Sequence, residues 1–237
     1  MKTKTFLLIF TLVLLFSCRS SKTNVQESYP LQVEAVKETI EATATTDPGV
    51  VIMGVRWATR NVDAPGTFTE NPEDAGMFFQ WNRRHGWNAT DTEILGWNRS
   101  IPGGTTWSRE NDPCPEGWRV PTPEEFRLLM VHAESTWAML NGVSGRWFGS
   151  RHNSIFLPAV GFRATNDGRL LSSVSDMSLS DVVGAYWSNN EFIHNRDRMS
   201  FNRETAMSMQ VSRRSINLVS NRRNGFNVRC VAIDKTN

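Results

Sequence analysis

Residues 111–130, NDPCPEGWRVPTPEEFRLLM, dictate more local structure than any other stretch of this 237-residue chain. Pro121 disfavours a helical conformation at Val120, so an extended piece, residues 117–120, ends where a helix begins. Thr122 is the expected N-cap, Pro123 suits the first helical position, and Glu125 stands three residues after the cap, where its carboxylate reaches back to the Thr122 N–H. Glu124 and Glu125 place negative charge at the positive end of the helix dipole. Phe126, Leu129 and Met130 fall at i, i+3 and i+4, an apolar stripe that needs a sheet or another helix to cover it. The stretch carries structural instruction and no catalytic group.

The beginning of the chain reads as an export signal. Lys2 and Lys4 precede an apolar run, residues 6–16, too short for a stable membrane span. It ends in Leu15-Phe16-Ser17-Cys18, which resembles the bacterial lipobox. The resemblance implies cleavage before Cys18, with residues 1–17 as signal peptide and a lipid on Cys18 that attaches the protein to a membrane. An ordinary secretory peptide with a chance cysteine is the alternative, and it too implies export. Residues 18–46 hold few large apolar side chains and are expected to be a tether, in which 31–45 (LQVEAVKETIEATAT) has only a thin apolar helical face. Asp47-Pro48-Gly49 is a turn signal and the expected start of the folded domain, residues 47–237.

Export gives the other cysteines a meaning. Cys114 and Cys230 are expected to form a disulfide in an oxidising compartment; a redox-active or metal-binding pair is the weaker alternative without CxxC spacing or a neighbouring histidine. Net charge is +2, so the whole molecule has no strong electrostatic preference. Between Arg196 and Arg229, however, eight arginines (196, 198, 203, 213, 214, 222, 223, 229) face only Asp197 and Glu204. They either grip an anionic glycan or lipid head group with their planar forks or solvate the outer faces of strands and turns, and the second is favoured. Nucleic acid is a poor partner for an exported protein.

Residues 50–57 (VVIMGVRW) predict a strand and 77–81 (MFFQW) a second. Between 82 and 112 lies a long polar loop carrying Trp87, Trp97 and Trp107. These tryptophans either stack on sugar rings or pack beneath the loop, and packing is favoured as the common way to pin irregular chain. Residues 134–140 extend the helix or start another, stopped by Asn141-Gly142. Residues 154–162 (SIFLPAVGF) read as a buried strand with a proline at a bulge or edge, 166–168 as a turn, and 184–188 (GAYWS) as a short central strand followed by Asn189, Asn190 and Glu191. In 206–211 (AMSMQV), Met207, Met209 and Val211 point one way and Ser208 and Gln210 the other. Residues 216–219 are expected to form a shorter strand, and Asn224-Gly225 to turn into 226–231, with Phe226, Val228 and Cys230 on the inner face. Strands near both ends, helices between them and no βαβ alternation predict an α+β fold with an antiparallel sheet.

GVRWATRNVDAP, PEDAGMFFQW, CPEGWRVPTPEEFRLL, LPAVGFR, GAYWSNN and GFNVRCV, in that order, resemble the Fibrobacter succinogenes major paralogous domain, a module of exported proteins in Bacteroidetes and Fibrobacteres. The match covers about residues 50–233, and CPxGWRxPT is its most specific block. RVPTPEEF is more distantly similar to the RLPTEAEWE block of formylglycine-generating-enzyme-like domains, and YWSNN lies where C-type lectins carry WND. The resemblance implies a C-type-lectin-like fold with paired terminal strands, two helices and long irregular loops. It brings neither the EPN- or QPD-like motif of calcium-dependent lectins nor the reactive cysteine pair of the formylglycine enzyme.

Asn189, Asn190 and Glu191 are either oxygen ligands for a cation or, the favoured reading, loop hydrogen-bonders. The four histidines (85, 132, 152, 194) lack metal-like spacing, and no GxSxG or phosphate-binding glycine loop is present. The expectation is therefore a non-catalytic, cofactor-free lipoprotein of the outer membrane, on its periplasmic or surface face, binding a glycan or another envelope component. A tip subunit of a surface assembly is the alternative, and a formylglycine-type enzyme a weaker one. Candidate ligand residues are Trp87, Trp97, Trp107, Asn189, Asn190 and Glu191, with Arg203 or Arg213 nearby.

Overall fold

The helix start forms as its residues dictate. Helix α1 is Pro123–His132, with Thr122 extended at φ −76°, ψ 161°. The Thr122 hydroxyl accepts the Glu125 N–H at 3.2 Å, and the Glu125 carboxylate accepts the Thr122 N–H at 2.7 Å. Phe126 and Leu129 are buried and Met130 packs beside them, so the apolar stripe faces the core. The structure is a computed structural model that describes residues 34, 36–39, 43–171, 183–191, 204–213 and 219–234. The chain divides into Met1–Glu38 and a second unit, Thr39–Asn237, which holds every described strand. Cys18 and Arg203 lie outside the described residues.

The architecture is α+β and rich in antiparallel sheet. Strands β1 (Val50–Ile52), β2 (Val55–Trp57), β15 (Val231–Ala232) and β5 (Trp118–Arg119) form one sheet in the order β1-β2-β15-β5. Val231 pairs with Trp57, so the last strand of the domain lies beside β2, the second strand of the opening hairpin. A second sheet runs β10-β9-β14-β3-β4, from β3 (Phe78–Gln80), β4 (Gly86–Trp87), β9 (Phe162–Arg163), β10 (Leu170–Leu171) and β14 (Gly225–Phe226). Two three-stranded sheets follow: β6 (Ser135–Leu140), β7 (Val143–Ser150) and β8 (Asn153–Pro158); and β11 (Gly184–Glu191), β12 (Thr205–Val211) and β13 (Val219–Asn221).

Strand β11 joins two cores. Tyr186 faces the cluster around α1, with Trp57, Phe126, Phe148 and Met209, whereas Ala185 and Trp187 face a cluster around the disulfide, with Trp81, Trp107, Phe226 and Val228. That split is the period of two expected of a strand buried on both faces. Cys114 and Cys230 are bonded across a sequence separation of 116, as expected.

Several local expectations are corrected. Residues 50–57 are a hairpin rather than one strand, because Met53 (φ 51°) and Gly54 (φ 81°) turn the chain. Residues 134–140 are not helical: β6 pairs with β7 through a two-residue loop, Asn141 (φ 45°) and Gly142 (φ 86°). Asn-Gly with both residues at positive φ is the type I′ hairpin turn, whose twist matches the flanking strands. Besides α1, the only described α-helical residues are 34, 36–39 and 43–45. Residues 226–231 run through the interior instead of lying over one face; Asn227 and Arg229 are as fully buried as Phe226, Val228 and Cys230. The end of the expected tether lies against the domain, where the Ala44 carbonyl accepts the Phe68 N–H at 2.6 Å.

The favoured reading of the arginines changes for two of the eight. Arg222 and Arg229 are buried, as are Arg60 and Arg163. Arg163 donates to the carbonyls of Asn88 (2.9 Å), Gly168 (2.8 Å) and Asp91 (2.9 Å). Arg222 donates to those of Thr205 (3.0 Å), Pro102 (3.3 Å) and Gly104 (2.9 Å). Irregular chain leaves carbonyls without ladder partners, and a guanidinium with five N–H groups satisfies several at once. Arg213 is exposed and Arg223 pairs with Glu204 at 3.2 Å; 196, 198, 203 and 214 lie outside the described residues.

Candidate functional site

The long loop is irregular yet tied at many points. Asn82, at φ 51°, donates to the Gly103 carbonyl at 2.9 Å and accepts the Ser108 N–H at 2.7 Å. Trp107 donates its ring N–H to the Asn111 carbonyl at 2.8 Å, closing a short 3-10 turn, Arg109–Asn111. The Trp107 ring packs edge-on against Trp81, over which the Arg222 guanidinium lies 4.3 Å from the ring centre. The backbone N–H of Trp107 donates to the Asn189 carbonyl at 2.6 Å, and Thr106 bridges to Asn190. The end of the loop is thereby fixed to β11.

Between this loop end and residues 114–120 opens a cleft of about 450 Å³. Asp112 shapes its floor. One carboxylate oxygen accepts the Cys114 N–H at 2.9 Å and the other the Val120 N–H at 3.1 Å, tying together the two ends of the 114–120 wall. Burial raises the Asp112 pKa, opposed by those two N–H bonds and by the charges of Arg119 and Arg84. Arg84 donates to the Asp112 backbone carbonyl at 2.6 Å. Arg119 makes a two-pronged pair with Glu125 at 2.9 and 2.6 Å, which anchors the wall to the first turn of α1. Arg109, also lining the cleft, is exposed.

Two of the expected ligand residues line this cleft, Trp107 and Asn189. The Asn189 side-chain oxygen is buried and has no hydrogen-bond partner among the described residues. Asn190 is adjacent through its bridge to Thr106, and Glu191 ends β11, its side chain outside the described residues. Trp97 serves the loop instead. Its ring N–H donates to the Thr165 carbonyl at 3.0 Å, and it lies so close to Gly168 that a Cβ there would meet it at 2.5 Å. Trp87 is half-buried between His85 and Trp97, with ring centres 4.4 and 5.1 Å away. Both tryptophans pin the loop and neither lines the cleft. Arg213 follows the end of β12 that pairs with Gly184, whereas Asn189 to Glu191 occupy the opposite end of β11, roughly 15–20 Å away at strand rise. The structure does not bring Arg213 to the site.

Arg84, Arg109, Asp112, Trp118 and Arg119 escaped the sequence reading. One signal was present: Asp112 precedes Pro113-Cys114, the pattern of an Asx turn whose carboxylate caps an N–H two residues on. No family model, curated protein or solved structure matches this chain.

Proposed function

We propose that this chain is an exported lipoprotein anchored through Cys18 in the cell envelope. Its C-type-lectin-like domain, of the Fibrobacter succinogenes major paralogous kind, is a non-catalytic module that binds a glycan or another envelope component. The observation that carries the reading is the preformed cleft: its two walls are the loop end fixed by Trp107 on Asn189 and the segment held by Asp112, the disulfide and the Arg119–Glu125 pair. A site whose walls are fixed before the ligand arrives loses little entropy on binding. The pairing of the last strand with the opening hairpin and a long loop packed by tryptophans support the lectin-like assignment. The cysteines support binding over thiol chemistry, since both are engaged in one bridge.

The test is a glycan-array screen of the purified protein, with envelope polysaccharide among the probes. Saturable binding that weakens in Asn189→Ala is expected. A blank array from folded, disulfide-closed protein would overturn the reading.

A further inference from the structure

We infer that the cleft selects acidic glycans, holding a carboxylate or sulfate of the sugar between Arg84 and Arg109; this rests on the cleft being the binding site. The polar groups left open to a ligand decide its charge. Among the described residues, the charged side chains lining the cleft are Arg84, Arg109, Arg119, Asp112 and Glu116, three positive against two negative. Their availability is more lopsided than their number. Both oxygens of Asp112 are engaged by the N–H groups of Cys114 and Val120, so its charge is turned into the wall. Among the described residues lining the cleft, only Glu116, exposed at the rim, is a carboxylate open to a ligand. Arg119 has both terminal nitrogens on Glu125.

Arg84 and Arg109 are different. Arg84 is exposed and commits Nη1 to the Asp112 carbonyl, a bond that fixes where its guanidinium stands while Nε and Nη2 stay open among the described residues. Arg109 is exposed and has no ion-pair partner among the described residues. Neutral sugars present hydroxyls that donate as well as accept, and a site for them supplies acceptors, which arginine lacks. A cleft offering forked N–H donors matches a planar carboxylate or a sulfate instead. The half-buried Trp118 ring, packed edge-on to Phe68, gives the same cleft an apolar wall for a sugar face. A volume of about 450 Å³ lies in the range of small-ligand sites.

The experiment is titration calorimetry of the full protein with three oligosaccharides of equal length: an oligogalacturonate (carboxylate), a sulfated dextran fragment and neutral dextran. Near-UV circular dichroism checks that each variant is folded. The acidic probes are expected to bind at least about tenfold more tightly than neutral dextran, and added salt to weaken them. The pair Arg84→Gln with Arg109→Gln should cost about tenfold, Glu116→Gln should tighten binding, and Arg213→Gln, a control that removes one positive charge away from the cleft, should change nothing. Preference for the carboxylate or the sulfate probe names the anion. Neutral dextran binding as tightly as the acidic probes, or equal losses from Arg213→Gln and the cleft pair, would overturn the anion assignment while the binding reading stands. No binding of any probe, together with a blank array, removes both.

Discussion

Arg229 sets two guanidinium nitrogens on the single side-chain oxygen of Asn61, Nε at 3.0 Å and Nη2 at 2.7 Å. The same guanidinium reaches the carbonyls of Ala58 (3.2 Å) and Phe156 (3.0 Å), all of it buried. Burial pulls its pKa down to about 10, so the interior holds a cation at neutral pH, satisfied by oxygen dipoles. It joins the last strand segment to the chain after β2 and to β8. Arg229→Leu keeps the bulk and strands three acceptors, and it is expected to cost about 3 kcal/mol or more. Urea unfolding measures this; a loss below about 1 kcal/mol would mean that water already serves those carbonyls.

Asp112 and Glu125 flank the same wall and titrate with opposite sign. Burial is the largest influence on Glu125 and raises its pKa, but the Arg119 fork and the bonds from Thr122 together bring it net below the usual value. Its folded pKa being depressed, its contribution is present above the unfolded carboxylate range and is lost as pH falls through the folded value. Asp112 has a raised folded pKa, so its contribution is full at acid pH and fades as pH rises through the folded value. Stability curves should show Glu125→Gln costing about 1–2 kcal/mol at pH 7 and less near pH 3. The pH dependence removed by Asp112→Asn should run the other way. Parallel profiles for the two variants would refute the assignment.

How much was legible in the chain follows from how local each instruction is. The capping box of α1 is written within four residues and formed as read. Asn141-Gly142 stops a helix or turns a hairpin with equal ease, and only the pairing of Ser135 with Phe148 decides between them. The β-prone Thr136 and Trp137 were the local hint. Buried arginines have no local signature, since Arg163 meets carbonyls more than seventy residues away. The cleft was half visible for the same reason. Trp107 and Asn189 stood out as an aromatic in a loop and a polar residue after a strand. Arg84, Arg109 and Asp112 acquire meaning only when the loop end meets the 114–120 wall.

Two glycines separate backbone strain from crowding. A methyl group added at Gly142 (φ 86°) would meet no described residue within 4 Å, whereas one added at Gly168 (φ 73°) would stand 2.5 Å from the Trp97 ring. Gly142→Ala should therefore cost only the left-handed backbone, about 1 kcal/mol. Gly168→Ala adds displacement of the tryptophan that pins the long loop, and is expected to cost about 2 kcal/mol more. Thermal unfolding with limited proteolysis of residues 82–112 distinguishes them: cleavage should rise in Gly168→Ala alone. Equal proteolysis of both would show that Trp97 does not hold the loop.

The disulfide is expected to act on the unfolded chain more than on the cleft. It closes a separation of 116 residues, worth about 4–5 kcal/mol in the chain-entropy model. The folded wall has other ties, since Asp112 holds the Cys114 and Val120 N–H groups and the Pro113 carbonyl accepts the Gly66 N–H at 2.8 Å. Replacing both cysteines with alanine should lower the urea midpoint strongly while ligand affinity at 25 °C changes little. The denaturant slope discriminates the cause, because an unfolded chain freed of a long loop exposes more surface and steepens it. A midpoint loss with an unchanged slope and weakened binding would place the effect in the folded wall, and the bridge would then count as part of the site.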